Sequence, residues 1–126
     1  MTRCRIPGLA MAALILVMAG YCPGEEPSPE LPVPALKDLI AWAHDRQLEF
    51  HVTEASVWLK KGRTPAALAA QAATYRAILK TLLDSRKGGV VAWNTWHVTD
   101  ARGWHIERLP SLFDADYRAK PAYFAI

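Results

Sequence analysis

The chain has almost no cysteine, with Cys4 and Cys22 as the only pair in 126 residues. Both fall in the first two dozen positions, so the rest of the chain can hold no disulfide framework. Charge of one sign is scarce as well. Fifteen Lys and Arg against twelve Asp and Glu leave a formal charge of +3, spread along the chain rather than gathered in a block. That balance excludes the basic stripe expected of a nucleic-acid binder, and Lys60, Lys61, Arg86 and Lys87 read as solvated helix ends and loops. Histidine and acid spacing gives no metal constellation: His51 and His97 form neither a His-x-His nor a His-x₃-His pair with a nearby acid. No metal or cofactor is expected. The longest apolar run, Leu9 to Ala19, has about eleven residues against the roughly twenty that a bilayer-spanning helix needs, so no stable membrane span is expected.

What is present divides into unequal parts. Arg3 and Arg5 precede the apolar run, and Val17 and Ala19 are small residues suited to a cleavage point. Residues 1–22 therefore read as a signal-peptide-like segment, and the chain as secreted or periplasmic. Tyr21, directly before Cys22, is too large a neighbour for a lipidated cysteine, which disfavours a lipoprotein. Residues 23–34 carry Pro23, Pro27, Pro29, Pro32 and Pro34 among Glu and Ser, a linker composition. Residues 35–126 are the globular part, and 52% hydrophobic content over the whole chain suffices for a modest core.

Within that part Leu36, Leu39, Ile40 and Ala43 recur at helical spacing, which predicts a helix from Ala35 to about Arg46. Glu49 to Val57, rich in β-branched and aromatic residues, predicts a strand with Glu54 near its carboxyl end. Thr64 and Pro65 are a helix start, and Leu68, Ala72, Tyr75, Leu79 and Leu82 an apolar stripe. Gly88 and Gly89 are expected to end that helix with positive φ. Val90 to about Trp96 predicts a second strand, and a loop with Pro110 leads to a short helix or turn from about Asp116 to Ile126. Strands separated by a helix of this length pair in parallel, and an α/β protein of this kind collects functional side chains at the carboxyl ends of its strands. Glu54, Trp93, Trp96, Asp100 and Trp104 all lie there. On residue type alone Glu54 reads first as an exposed salt-bridge partner, and Trp96 and Trp104 as core aromatics. Trp93, three residues before Trp96, falls on the opposite side of the strand and reads as packing against a helix.

Three ordered segments shift the balance between these alternatives. Val52, Thr53 and Glu54 follow one strand, Trp96 to Trp104 (Trp-His-Val-Thr-Asp-Ala-Arg-Gly-Trp) the next, and Leu112 to Tyr123 contains Leu-Phe-Asp and then Lys-Pro-Ala-Tyr. Together they resemble the C-terminal motifs of family 10 glycoside hydrolases, endo-β-1,4-xylanases: Thr-Glu-Leu-Asp after the seventh barrel strand, Trp-Gly-x-x-Asp-x-x-Ser-Trp after the eighth, then Leu-Phe-Asp and Lys-Pro-Ala-Tyr. Gln71 and Tyr75 also fall where the family's intervening helix has them. The resemblance implies a partial (β/α)8 TIM barrel, roughly its last two βα units plus a preceding helix, open rather than closed. An open sheet edge would favour self-association.

By the same resemblance Glu54 is the catalytic nucleophile, Trp96 and Trp104 bind substrate by stacking on sugar, and Asp100 and His97 are candidates for loop or subsite support. Asp114 and Lys120 are expected to be a structural pair or loop fasteners. The partner implied is xylan or a related β-1,4-glycan. Four positions, in three places, depart from the motifs. Ala55 and Ser56 replace Leu-Asp, removing a carboxylate expected to orient a histidine beside the nucleophile; His97 replaces glycine; Gly103 replaces serine. Retaining glycosidases need two carboxyl groups roughly 5–5.5 Å apart, and the family's acid/base follows an asparagine at the fourth strand, to which nothing here corresponds. The chain is therefore expected to be inactive alone, its function belonging to a whole barrel; the other reading is a secreted, non-catalytic β-glycan-binding protein using Trp96 and Trp104.

Overall fold

A computed structural model describes residues 13–19, 33–59, 62–103 and 105–126. Five regular elements alternate: strand β1 (Ala13–Ala19), helix α1 (Val33–His44), strand β2 (Phe50–Val57), helix α2 (Pro65–Ser85) and strand β3 (Val91–Thr95). Short 3-10 turns follow at Ile106–Arg108 and Tyr123–Ala125. The strands form one parallel sheet in the order β1-β2-β3. Sequential strands side by side, each pair joined through a helix, are the repeat of a (β/α)8 barrel. Here the sheet is an open arc, with β2 in the middle.

The leading strand departs from the helix-first order expected. The apolar run read as an export segment contributes Ala13–Ala19 to the sheet, paired in parallel with β2 from Phe50 to Val57. A run of Leu, Ile and Val suits a strand as well as a leader, and the edge of β2 offers unpaired backbone groups to any such segment. Among the described residues no helix is long and apolar enough to cross a membrane.

Both helices pack on one face of the sheet. Leu36, Ile40 and Ala43 of α1, Tyr75, Ile78 and Leu82 of α2, and Phe50, Val52, Ala55 and Val57 of β2 are buried in one cluster. The faces are rotated slightly from those expected. Leu39 of α1 is exposed, and the buried face of α2 runs through Gln71, Tyr75, Ile78 and Leu82. Leu68 and Leu79 lie at its flank, half-buried.

Thr64 caps α2 as expected, its hydroxyl accepting from the Ala67 N–H at 3.1 Å. The other end is different. The helix stops at Ser85, and positive φ occurs at Gly62 and Gly103 but not at Gly88 or Gly89. Those two are instead pressed against the His44 ring, where an added Cβ would lie 2.8 Å from Nδ1 and 2.7 Å from Cδ2 respectively. His44 Nε2 lies 3.3 Å from the Val90 carbonyl. The glycines allow the end of α1 to reach the start of β3. The chain's last residues make only a 3-10 turn, held by Lys120 and Ala122 carbonyls.

Tyr75 links three parts of the core. Its hydroxyl donates to the Pro110 carbonyl at 2.7 Å and accepts from the Val57 N–H at 3.2 Å, and burial pushes its phenol pKa up. Tyr75→Phe would leave both backbone groups buried without this partner. The expected loss is about 1–3 kcal/mol, read as a lower urea midpoint at unchanged slope.

Candidate functional site at the carboxyl end of the sheet

Residue parity along β2 determines where Glu54 points. Phe50 and Val52 are buried on the helix side, and so are Ala55 and Val57. A regular strand would put Val52 and Ala55 on opposite faces. The sheet register shows how both become buried: Ile15 pairs with Val52 and Leu16 with Glu54, while Val52 pairs with Trp93 and Ala55 with Thr95. Thr53 and Glu54 together stand opposite Asn94 alone. This is a β-bulge, one extra residue that changes the phase of the alternation. Thr53 and Glu54 thereby both face the side away from the helices, as do His51 before the bulge and Ser56 after it; all four are half-buried.

β3 brings the tryptophan alongside. The Trp96 N–H donates to the Ala55 carbonyl at 3.1 Å, extending the ladder one residue past the strand. Alternation from Ala92, which pairs with His51, puts Asn94 and Trp96 on the same open side. Trp96 remains 47% exposed. Trp93 faces the other way and meets Tyr75 edge-on, with ring centroids 6.1 Å apart, the helix packing its position predicted. By this register Glu54 and Trp96 fall on the same face of neighbouring strands. Trp104 lies outside the described residues.

The loop beyond β3 is fastened from beneath. Asp100 is buried, with its side chain 2% exposed, and Oδ2 receives the Lys120 ammonium at 2.9 Å. Oδ1 accepts the Ser111 N–H at 2.8 Å. Lys120 also donates to the Leu109 carbonyl at 2.8 Å. Burial pulls the lysine pKa down, and the Asp100 carboxylate opposes that pull. Asp100 therefore ties the loop after β3 to Ser111 and Lys120. The expected partnership of Asp114 with Lys120 is not formed. Asp114 takes the Arg63 guanidinium at 2.8 Å and the Asp116 and Arg118 N–H groups, because its turn faces the start of α2. It fastens a loop, but a different one.

Gln71 stands out in the sequence only by its place in the helix of the resembled family. Its amide nitrogen donates to the Val57 carbonyl at 2.6 Å and the Leu109 carbonyl at 2.8 Å. With Tyr75, one turn on, it ties the end of β2 to the loop. Leu109 and His105 both adopt left-handed backbone, φ +46 and +55, conformations that bulky residues hold only when the surroundings impose them. Trp58, next after β2, is covered by the Arg108 guanidinium, 4.4 Å from its ring centroid. Glu107 is held by His105 at 2.8 Å, which lowers its carboxyl pKa.

His97 stands beside Trp96, their ring centroids 5.7 Å apart at 71°. Burial lowers its pKa, against an opposing pull from Asp100. Among the described residues no cluster of His, Cys, Asp and Glu could hold a metal ion.

Residues 29–126 match the family described as Glycosyl hydrolase family 10. The chain belongs to this family. Solved family 10 structures share its fold. An endoxylanase retrieved from a sugarcane soil metagenome superposes with a TM-score of 0.65 at 21% identity, over 76% of this chain and 34% of that one. The N-terminal endo-1,4-β-D-xylanase 10B of Clostridium thermocellum, complexed with xylohexaose, gives 0.65 at 26% identity, covering 74% and 19%. The intracellular xylanase of Thermoanaerobacterium saccharolyticum gives 0.65 at 27%, covering 75% and 29%. The chain thus spans about a third or less of these family 10 structures. They are barrels, of which it forms an open α/β part.

Two consequences are measurable. Lys120→Met leaves the Asp100 carboxylate buried without its cation and is expected to cost about 3–5 kcal/mol; adding Asp100→Asn should recover part of that loss in a denaturation series. Hydrogen bonds from Arg118 N–H and Arg63 hold the folded-state pKa of Asp114 below the ordinary carboxylate value. Its contribution is therefore complete above the unfolded-state pKa, near 4, and is lost as pH falls through the depressed folded value. Asp114→Asn should be less stable at pH 7 and show a shallower loss of thermal midpoint on acidification.

Proposed function

We propose that Glu54 is the nucleophile position of a retaining β-1,4-xylanase site, with Trp96 and Trp104 as its sugar-stacking wall, and that this chain carries one wall of that site. The observation that supports the reading is the β2 bulge, whose register puts Glu54 on the open face of the sheet, the face shared by the exposed Trp96 of the next strand. Ring faces of tryptophan offer large apolar area with little conformational entropy to lose, which suits a flat sugar. The substrate class is xylan or a related β-1,4-glycan, in keeping with a family 10 relative complexed with xylohexaose.

Retaining hydrolysis needs a second carboxyl group to protonate the leaving oxygen. Four other described carboxylates are each held by a basic side chain: Glu49 by His51, Asp100 by Lys120, Glu107 by His105 and Asp114 by Arg63. Glu25, Glu26 and Glu30 lie outside the described residues. Cleavage accordingly belongs to a complete barrel, and the chain alone binds without cutting. A stand-alone β-glycan-binding role is the second reading, favoured by the exposed indole of Trp96. Export through the run behind Arg3 and Arg5 belongs to either reading and requires that run to leave the sheet. β3 has a strand on one side only among the described residues, and self-association through that edge is part of the same proposal.

The purified chain is expected to bind xylohexaose in calorimetry and to release no reducing sugar from xylan. Trp96→Ala should weaken binding about tenfold, the equivalent of about 1.4 kcal/mol. Hydrolysis that disappears in Glu54→Ala would show that the chain has its own acid. Absence of any retention on insoluble xylan would sink the binding role.

A further inference from the structure

Two of the three departures from the family motif meet in space. A Cβ built on Gly103 would lie 2.2 Å from Cδ2, 2.3 Å from Nε2 and 2.9 Å from Cγ of His97. No side chain can stand at 103 while the imidazole is where it is. In the motif that the chain resembles, position 97 is glycine and position 103 is serine; here a side chain is gained at the first and lost at the second. The volume removed from one loop position is filled from the other.

We propose that His97 and Gly103 are one compensated exchange, and that His97 is a positioning residue for the Trp96 platform. This rests on the reading of Trp96 as the sugar-stacking ring. A tryptophan that is 47% exposed has few neighbours to select among its rotamers. The imidazole, edge-to-face with the indole at 5.7 Å and 71°, supplies a wall on one side in the geometry aromatic pairs favour. The wall is itself backed by the bare Gly103 backbone. Asp100 lies in the same loop, anchored to Lys120 and Ser111, so the backbone carrying His97 is tied to the core three residues away.

The test is a cycle on the full chain: His97→Gly, Gly103→Ser, both together, and the unaltered protein. Each is measured for xylohexaose affinity by calorimetry and for thermal midpoint. Gly103 has φ +139, so serine strains the backbone in either background, and that shared cost cancels in the cycle. Gly103→Ser should weaken affinity about tenfold or more when His97 is present and only about two- to threefold when residue 97 is glycine. His97→Gly alone should weaken affinity several-fold while shifting the midpoint little, a split that a purely structural residue would not produce. Equal penalties for serine in both backgrounds would overturn the exchange, and unchanged affinity in His97→Gly would overturn the positioning role. If the unaltered chain binds no xylohexaose, the platform reading fails. The midpoints alone then decide the exchange, which stands if serine destabilises more with His97 than without it.

Discussion

One extra residue in β2 sets the relation between core and site. Without the bulge, burying Phe50 and Val52 against the helices would turn Ala55 and Val57 to the open side, and Glu54 into the core. With it, the hydrophobic contribution of β2 is kept on the helix side along its whole length, and Glu54 faces outward. A period-two strand cannot do both. The apolar residues thereby enforce the bulge, since removing it would expose one pair of core residues or bury a carboxylate.

The carboxyl end of the sheet is then held by polar groups rather than apolar packing. Gln71 and Tyr75 reach from α2 to the Val57 peptide on one side and to the Leu109 and Pro110 carbonyls on the other. Lys120 takes the same Leu109 carbonyl and the buried Asp100. A buried ion pair contributes little net stability, because desolvation of both charges offsets their attraction. Its effect is geometric: it brings the loop after Trp96 to one position. The left-handed backbone at Leu109 aims its carbonyl at two donors, which is what compensates for an unfavourable φ.

Much of this was legible from residue types. The Thr64 cap, strands β2 and β3 and the opposed directions of Trp93 and Trp96 follow from local chemistry and alternation. The family followed from three motifs in order. Other features were hidden for physical reasons. A bulge changes register without requiring any particular residue, so Thr53 carries no mark of it. Gln71 looks like a solvent-facing helix residue because its partners are carbonyls far away in sequence. Gly88 and Gly89 sit where a helix-ending glycine belongs, yet serve the close approach of His44. The run Ala13–Ala19 has the composition of both a leader and a strand, and only an available edge distinguishes them.

The proposed sugar-binding face lies on one side of the sheet and the hydrophobic core on the other. Backbone and indole NMR shifts of the labelled chain, followed while xylotetraose is added, test that division directly. The account predicts saturable changes at Thr53, Glu54, the Trp96 indole and His97, with Val52, Tyr75 and Ile78 unmoved. Changes centred on α1 or α2, or none at Glu54 and Trp96 while sugar binds elsewhere, would contradict it.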